Sequence, residues 1–407
     1  MAILAVNAGS SSLKFSLHPL EGGQVLPHTV SGNFQGLEPG GQPQLGWKYQ
    51  GQKHEETLAV PAGEAPFHVA LARLRALVHE LAASQGLHAI AHRVVHGGGE
   101  FSESVQVTDE VLARLTRFNS LAPLHQPHNL EGIRQFREAF PEVPQVACFD
   151  TAFHARMPEV DYAFALPKAL QEQGVRRYGF HGLSYQYVMS VLEKETIRGR
   201  GRVVMAHLGN GASLCAAVGG VSVATPMGFS ALDGLMMGTR SGSLDAGVLL
   251  YLLEQGWDAK RIEKLLYKQS GLLGVSGISA DMRTLREAAA GGKADAQRAI
   301  DQFTHRVIRE TGALTACLGG LDLIAFSGGI GENDAVLRQQ VCERLEWTGL
   351  RIDRERNLQA DGKPVWAVHA PDSRIEIWVV PTDERRVAAR EAAALLLQAS
   401  LLESALA

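Results

Sequence analysis

Short runs of aliphatic and β-branched residues alternate along the chain with longer segments of helical periodicity. The short runs are about four to eight residues long and end at turn residues, which predicts buried strands. The longer segments repeat apolar residues at three- and four-residue spacing, which predicts amphipathic helices and, with the strands, α/β layers. The predicted strands are Ile3–Val6, Leu13–Leu17, Ala89–Val95, Gln145–Phe149, Val203–His207, Leu214–Val218, Leu323–Phe326 and Ile375–Val380; the predicted helices are Pro66–Ala83, Asn129–Ala139, Ser184–Glu195, Ala259–Tyr267, Ala294–Leu318, Asp334–Leu345 and Arg386–Leu402.

Two further features of the pattern concern the organisation of the chain. Residues 21–51 hold eight glycines, three prolines and few charges, which predicts turns and small hairpins that decorate the surface of the first domain. A strand, a polar turn and a second strand occur at Ile3–Phe15 and again at Val203–Cys215. This repeat, about half a chain apart, predicts two similar halves.

Composition and charge narrow the function. The 407 residues are 45% hydrophobic and carry a net charge of −4, with no long basic run, so neither a nucleic acid nor an anionic membrane is an expected partner. Residues 203–232 lack Asp, Glu, Lys and Arg, but glycine, asparagine and proline interrupt them, which favours buried strands over a membrane helix. The four cysteines form no Cys-x-x-Cys pair, which indicates reduced thiols and a cytoplasmic protein. Small-molecule chemistry is the best expectation.

Glycine is in excess, at 43 of 407 residues, and three small-residue turns follow predicted strands. They are Asn7–Lys14, His207–Gly211 and Ser327–Asn333. Backbone N–H groups in such turns can hold phosphate oxygens, with Lys14 as a point charge. The first turn can equally be a plain hairpin turn, and it is not a Walker A loop. Three such turns in one chain favour a nucleotide ligand.

Several polar residues stand where a substrate can bind. Arg240 is the only cation in residues 225–245, so its partner is either a bound anion or one of the neighbouring carboxylates Asp233 and Asp245. Asp150 follows a predicted strand, at the end where α/β sheets bind ligands. Fifteen histidines are present, but none has the spacing of a zinc site.

The segment Val379–Arg385 ends a strand and begins the last helix. One interpretation is that Thr382 or Asp383 caps this helix. The other is that the carboxylate of Glu384 binds Mg²⁺ beside nucleotide phosphates, directly or through water.

Together and in this order, these strings resemble the acetokinase family. The resemblance runs from Val6-Asn-Ala-Gly-Ser-Ser-Ser-Leu-Lys-Phe15 to Pro381-Thr-Asp-Glu384, nearly the whole chain. It implies an α/β fold of two duplicated actin-like, ribonuclease-H-like domains with the active site in the cleft between them. It also implies a homodimer, an acyl- and phosphoryl-site domain at 1–152 plus 384–407, and a nucleotide-binding domain at 153–383.

The resemblance also implies roles for individual residues. Asp150 matches the catalytic aspartate, Arg93 and Arg240 match the arginines that bind carboxylate and phosphoryl groups, and His125 and His181 match histidines near the transferring phosphoryl group. The remaining matches are Val95, Leu124 and Phe180 in the pocket for the acetate methyl; Lys14, His207, Leu208, Gly209, Asn210, Gly211, Asp281, Met282, Arg283, Gly329, Ile330, Gly331, Glu332 and Asn333 in the nucleotide site; and Asn7 and Glu384 near Mg²⁺, for which Mn²⁺ is an alternative.

The implied activity is reversible transfer of the ATP γ-phosphoryl group to acetate, giving acetyl phosphate and ADP. Acetate is already ionised at pH 7, so Asp150 is expected to hold a metal-bound water or to orient an arginine. Ala231 stands where many members have proline beside the methyl pocket, and Ser243 and Ala246 replace a common Asp and Pro. A larger pocket leaves a kinase for propionate or another short-chain acid as the alternative. A noncatalytic nucleotide-binding protein of the same fold would lack Arg93, Arg240 and Asp150.

Overall fold

A computed structural model describes residues 1–9, 11–82, 86–123, 125–362 and 364–406. The chain divides into two compact units, Met1–Ala152 with Asp383–Ala407 and Phe153–Thr382. The first unit therefore contains both ends of the chain.

The strands and helices are numbered in chain order. They are β1 (Ala2–Ala8), β2 (Ser12–Glu21), β3 (Gln24–Val25), β4 (Val30–Gln35), β5 (Gln44–Tyr49), β6 (Gln52–Thr57), α1 (Pro66–Ala82), β7 (Leu87–Val94), β8 (Val105–Gln106), α2 (Asp109–Thr116), α3 (Gln126–Ala139), β9 (Gln145–Phe149), α4 (Glu159–Tyr162), α5 (Lys168–Glu172), α6 (Gly182–Glu195), β10 (Arg202–Leu208), β11 (Ala212–Val218), β12 (Val221–Ala224), α7 (Ala246–Glu254), α8 (Ala259–Lys268), α9 (Gly271–Ser276), α10 (Met282–Ala290), α11 (Ala294–Cys317), β13 (Leu323–Ser327), α12 (Gly328–Asn333), α13 (Ala335–Arg344), α14 (Arg354–Gln359), β14 (Trp366–Ala367), β15 (Glu376–Val379) and α15 (Glu384–Leu406).

The sheet of the first unit has the strand order β6-β5-β4-β2-β1-β7-β9-β8, with β3 beside β2. β1, β7 and β9 are parallel, and the other pairings are antiparallel. On one face Leu4, Phe15 and Phe136 belong to a buried cluster shared with α1 and α3. Cys148 on β9 points to the opposite face of the sheet, where it contacts the Ala388 carbonyl of α15. Arg93 on β7 precedes Val94, which faces the α3 side, so alternation directs Arg93 to the α15 face.

The sheet of the second unit has the order β12-β11-β10-β13-β15-β14. Its β10–β11 hairpin is followed by β13 and β15, which lie parallel to β10. This is the arrangement of β1, β2, β7 and β9 in the first unit. The internal repeat expected from the two strand–turn–strand strings is thus present in the sheets. Helix α6 packs on one face, where Tyr185, Met205 and Cys215 are fully buried, and α11 contacts β10 and β11.

Short polar side chains begin several of the helices. Thr108 accepts from the Val111 N–H at the start of α2, and aspartates do the same for later helices. Asp245 begins α7, Asp258 begins α8 and Asp281 begins α10, each accepting a backbone N–H of the first turn. These residues satisfy N–H groups that have no partner within the helix.

The predicted strands and helices are confirmed, with ends that differ by a few residues. The interpretation of residues 21–51 as surface decoration is wrong in one respect. Their hairpins pair in register with β2 through β4, β5 and β6, so they extend the main sheet. Among the described residues no helix has the length and apolar character needed to cross a membrane.

Candidate functional site

Arg93 and Asp150 form the central ion pair of the first unit. Asp150 directly follows β9, and its backbone N–H donates to the carbonyl of Val94 at the end of β7. Arg93 Nε lies 3.1 Å from both carboxylate oxygens of Asp150, and Nη2 lies 2.5 Å from Oδ2. Glu384 Oε2 at the start of α15 lies 3.9 Å from the same Nε. Asp150 is buried. Its two carboxylate oxygens contact Arg93 together, and this bidentate contact, here called the fork, holds the guanidinium in one plane.

The charges around Arg93 keep it protonated. Burial alone would lower the pKa of the guanidinium, but attraction from Asp150 and Glu384 outweighs burial and raises it. The Arg93 side chain remains 23% exposed. A fixed positive charge with partial access suits the binding of an anion.

Two buried amides of α3 hold the loop that follows β7. Asn129 accepts from the Val95 N–H at 3.1 Å and donates to the Ala8 carbonyl at 2.7 Å. Gln126 accepts from the His96 N–H and donates to the His96 carbonyl. Sequence reasoning missed both amides. Their signal is a polar residue on the apolar side of an amphipathic helix, where a buried amide needs partners.

The other predicted residues of this region have separate positions. Val95 is buried directly after β7, and His125 is the N-cap residue of α3. Leu124 lies outside the described residues. Asn7 lies opposite Lys14 in the β1–β2 hairpin, whose turn is closed by a hydrogen bond from the Gly9 N–H to the Ser12 carbonyl.

At the start of α15 the capping interpretation is confirmed, and the Mg²⁺ interpretation of Glu384 stays a prediction. Asp383 accepts from the Arg386 N–H at 3.1 Å, which is the capping contact. Glu384 instead points toward Arg93 and is only partly exposed. The amide oxygen of Asn7 and the carboxylate of Glu384 are hard oxygen donors of the kind that Mg²⁺ takes. In the part of the chain that the structure describes, no group of three His, Cys, Asp or Glu side chains could hold a metal ion.

In the second unit, two glycine-rich segments follow neighbouring parallel strands. The turn 209–211 follows β10, and Gly328 begins α12, the short helix that the structure has where a glycine turn was expected after β13. Gly328 has φ +76°, and a Cβ there would lie 2.7 Å from the Leu208 carbonyl oxygen, so only glycine fits. At Gly329, by contrast, a Cβ would have no atom within 4 Å. The backbone of Gly329 therefore lies open at the predicted nucleotide site.

Polar side chains stabilise the segment after β13. Glu332 accepts from the N–H groups of Gly328 and Thr382, at 2.8 and 3.2 Å, and burial raises its pKa. The fully buried Arg338 donates to the Gly331 carbonyl at 2.9 Å and to Asn357. Arg338 was not anticipated from the sequence. A lone arginine in a buried helical pattern was the available signal, because a buried guanidinium requires acceptors.

Two histidines, His181 and His207, lie beside the turn that follows β10. His181 is the N-cap residue of α6 and has a left-handed backbone (φ +58°). Its ring stacks on His207 with centroids 4.3 Å apart, and His207 Nδ1 lies 2.7 Å from Ser184 Oγ. The preceding carbonyl, that of Phe180, accepts a hydrogen bond from the buried His154.

The contacts of Asp233 and Asp245 are to groups other than Arg240. Arg240 Nη1 donates to the Ala231 carbonyl at 2.7 Å. Asp233 instead accepts from Ser243 and lies 3.5 Å from Arg177, while Asp245 caps α7. The substitution at Ser243 thus supplies a hydroxyl to Asp233.

The predicted nucleotide segment 281–283 begins α10. Asp281 accepts from the N–H groups of Arg283 and Thr284, and its carboxylate pairs with the Arg283 side chain, which is 89% exposed. Met282 is buried. The capping function of Asp281 leaves the Arg283 guanidinium at the surface.

The sequence as a whole matches one family. A sequence model described as the acetokinase family matches residues 2–390. The chain belongs to the acetokinase family. An acetate kinase of Rhodopseudomonas palustris is 48% identical over 95% of this chain and 96% of its own length. An acetate kinase of Methylocella silvestris is 47% identical over 97% of this chain and 98% of its own.

Solved structures of the acetokinase family share the fold. A propionate kinase from Francisella tularensis superposes with a TM-score of 0.88 at 36% identity, covering 96% of this chain and 98% of that one. Porphyromonas gingivalis acetate kinase gives a TM-score of 0.87 at 36% identity, covering 97% and 99%. The two duplicated α/β units are therefore the actin-like fold that the resemblance implied.

Proposed function

We propose that this member of the acetokinase family transfers the γ-phosphoryl group of ATP reversibly to acetate, giving acetyl phosphate and ADP. The observation that carries the proposal is the Arg93–Asp150 fork beside Glu384 at the ends of β7 and β9. A protein that only binds nucleotides has no need of a guanidinium held in a fixed orientation there.

The candidate residues serve one in-line displacement in this proposal. An acetate oxygen attacks the γ-phosphorus as the bond to ADP breaks, and charge spreads over the equatorial oxygens in a loose transition state. Arg93 and Arg240 neutralise that charge, His181 donates a hydrogen bond to it, and His125 lies beside the transferring group. The backbone of the turns 207–211 and 329–333 binds the nucleotide, with Lys14, Asp281, Met282 and Arg283 also assigned to its site. Asn7 and Glu384 would hold Mg²⁺, which supplies screening of the phosphate charges.

Asp150 acts by orienting Arg93. A carboxylic acid with a pKa near that of Glu is ionised at pH 7, so acetate needs no general base. The bidentate contact of Asp150 with Arg93 supports this function over the metal-water alternative. Asp150 thus sets the plane in which Arg93 meets the substrate carboxylate.

The protein also forms a homodimer in this proposal. Helix α7 has no buried residue, although it is strongly apolar. Leu250, Tyr251 and Leu253 are 63%, 58% and 50% exposed. Contiguous exposed apolar surface marks an association site, and a second copy of the chain is its occupant.

Four free cysteines, three of them buried, support a cytoplasmic location.

A hydroxamate assay with ATP, Mg²⁺ and acetate tests the activity. We expect acyl phosphate from acetate, and kcat/KM that falls from acetate to propionate to butyrate. Each added methylene changes binding in an apolar pocket by about 1–3 kcal/mol. No acyl phosphate with any of the acids would overturn the enzyme assignment. A higher kcat/KM for propionate would make the chain a propionate kinase, with Ala231 as the first residue to exchange for proline.

A further inference from the structure

The backbone of His181 is held in an unfavourable conformation. His181 and Gln50 are the only non-glycine residues with positive φ in the part of the chain that the structure describes. A residue other than glycine persists there only when its surroundings enforce it, and such strain is typical of functional sites. The Tyr185 N–H donates to the His181 carbonyl in the first turn of α6, and His154 Nε2 donates to the Phe180 carbonyl just before it.

The imidazole of His181 is bonded to a buried hydroxyl pair. Nδ1 lies 2.8 Å from Ser213 Oγ, and Ser213 Oγ in turn contacts Tyr185 Oη. Ser213 and Tyr185 are both fully buried. The sequence pattern brings both hydroxyls close to His181. Ser213 lies two residues before Cys215 and so on the same, α6-facing side of β11, and Tyr185 lies one helical turn after His181.

Which atom donates in each of these hydrogen bonds follows from Tyr185, the last residue of the series. Burial raises the pKa of Tyr185, so its phenol keeps its hydrogen. Among the described residues, the hydroxyl of Tyr185 is bonded to Ser213 Oγ. The Tyr185 hydrogen then needs an acceptor, since a buried donor without one is costly, and Ser213 Oγ is adjacent.

The remaining steps assign the imidazole tautomer. Ser213 Oγ accepts from Tyr185, so the Ser213 hydrogen is directed to His181 Nδ1, which must be unprotonated. Nε2 then carries the hydrogen in the neutral ring. His181 Nε2 would lie 3.1 Å from a Cβ on Gly211, and Arg240 Nη2 3.9 Å from the same point. The Nε2 hydrogen, the Arg240 guanidinium and the Gly211 backbone therefore face one region.

We propose that Tyr185 and Ser213 are positioning residues that fix His181 as the Nε2–H tautomer, so that it donates one hydrogen bond to the phosphoryl oxygens. This rests on the proposed function. Neither residue touches substrate in the proposal: each acts through His181. The ring of His207, stacked on that of His181 with centroids 4.3 Å apart, further restricts the orientation of His181.

The tautomer can be read directly from the full-length enzyme. We expect ¹⁵N spectra of histidine-labelled protein to show His181 with unprotonated Nδ1 and protonated Nε2, the signals being assigned with His181→Gln. Tyr185→Phe and Ser213→Ala should give mixed tautomers and lower kcat by about 10- to 100-fold with little change in either KM, since a preorganised donor is lost. Ser213→Thr, which keeps the hydroxyl, should restore both the tautomer and kcat.

Two variants on the same helix serve as matched controls. Tyr187→Phe removes a phenol hydroxyl two residues along α6 from Tyr185, and Ser190→Ala removes a hydroxyl that donates to the Tyr187 carbonyl. Both should leave kcat and the His181 spectrum unchanged. A protonated Nδ1 in the wild type, or wild-type kcat in both Tyr185→Phe and Ser213→Ala, would overturn the proposal. The spectrum needs no turnover, so a lack of acyl phosphate would overturn the proposed function while the spectrum still decides the tautomer.

Discussion

Asp150 uses both carboxylate oxygens to hold Arg93, and the pair is more informative than either residue alone. From the sequence, Asp150 was an acid at the end of a strand with two possible functions. The structure adds the angle and distance of the fork, which come from two strands far apart in the chain. No spacing rule contains that information.

Replacing Asp150 with asparagine tests the orienting function. We expect kcat/KM for acetate to fall by roughly 100-fold and the free energy of unfolding by about 3 kcal/mol, because the Arg93 guanidinium loses the charge of its buried partner. Steady-state kinetics and urea unfolding measure both. Asp109→Asn breaks an exposed pair with Arg137, in which Asp109 is 93% exposed, and should cost under about 1 kcal/mol. Equal losses in the two variants would contradict the orienting function.

Arg240 is the second residue whose replacement should lower the catalytic rate strongly. Arg240→Ala should lower kcat by about 10²- to 10³-fold, the usual loss for one preorganised donor. The matched control is Arg261→Ala, since Arg261 stacks on the Trp257 ring at 3.5 Å on α8 and has no part in the proposed reaction. Near-normal turnover in Arg240→Ala would remove Arg240 from the site.

At the scale of elements, helical periodicity predicted the long amphipathic helices but missed α7. Its nine residues, Ala246–Glu254, are apolar almost throughout, so no apolar stripe repeats at helical spacing. The hairpins of residues 21–51 were expected, but their pairing with β2 was not. Strand pairing depends on backbone hydrogen bonds between distant segments, which a local pattern does not encode.

The ends of β10 and β13 pack so closely that position 328 should tolerate only glycine. Gly328→Ala should weaken ATP binding at least tenfold and lower stability by about 2 kcal/mol, because a Cβ meets the Leu208 backbone at positive φ. Isothermal titration and thermal melts measure the two effects. Gly312→Ala on α11, where a Cβ meets nothing within 4 Å, should instead add about 0.5–1 kcal/mol. Wild-type ATP affinity in Gly328→Ala would argue against this turn as a nucleotide site.

At the scale of the whole molecule, buried neutral histidines make stability depend on pH. Burial lowers the pKa of His92 in the first unit and of His154 in the second to about 4, from 6.5. Below pH 6.5 the unfolded chain binds protons that the folded chain does not, so the stabilisation is complete above that pH and is lost as the pH falls toward 4. Between about pH 7.5 and pH 5, each histidine should remove about 2 kcal/mol.

Urea unfolding at the two pH values checks this, with each transition fitted separately, because chains of several domains need not unfold in two states. His92→Gln should reduce the loss by about 2 kcal/mol. His79→Gln, on an exposed position of α1, should leave it unchanged. A pH-independent free energy of unfolding would show that these histidines bind protons equally in the folded and unfolded chain.

The proposed homodimer is tested on α7. Leu250→Arg places a charge in the exposed apolar surface, and we expect the mass from sedimentation to fall from a dimer to the 43.9 kDa of one chain. Ile197→Arg changes another exposed apolar residue, 96% exposed, and should remain dimeric. A monomeric wild type would exclude the dimer.

The sequence by itself determined the class of the fold and the family, because periodicity, glycine turns and long matching strings are local properties of the chain. It also named most of the candidate site residues. Only the tertiary structure decided how those residues are held. Asp150 holds Arg93 through both carboxylate oxygens, Asn129 accepts from the Val95 N–H, and Ser213, in contact with Tyr185, lies 2.8 Å from His181 Nδ1. The physical reason is that buried polar atoms must find partners, and the partners come from strands and helices that only folding brings together.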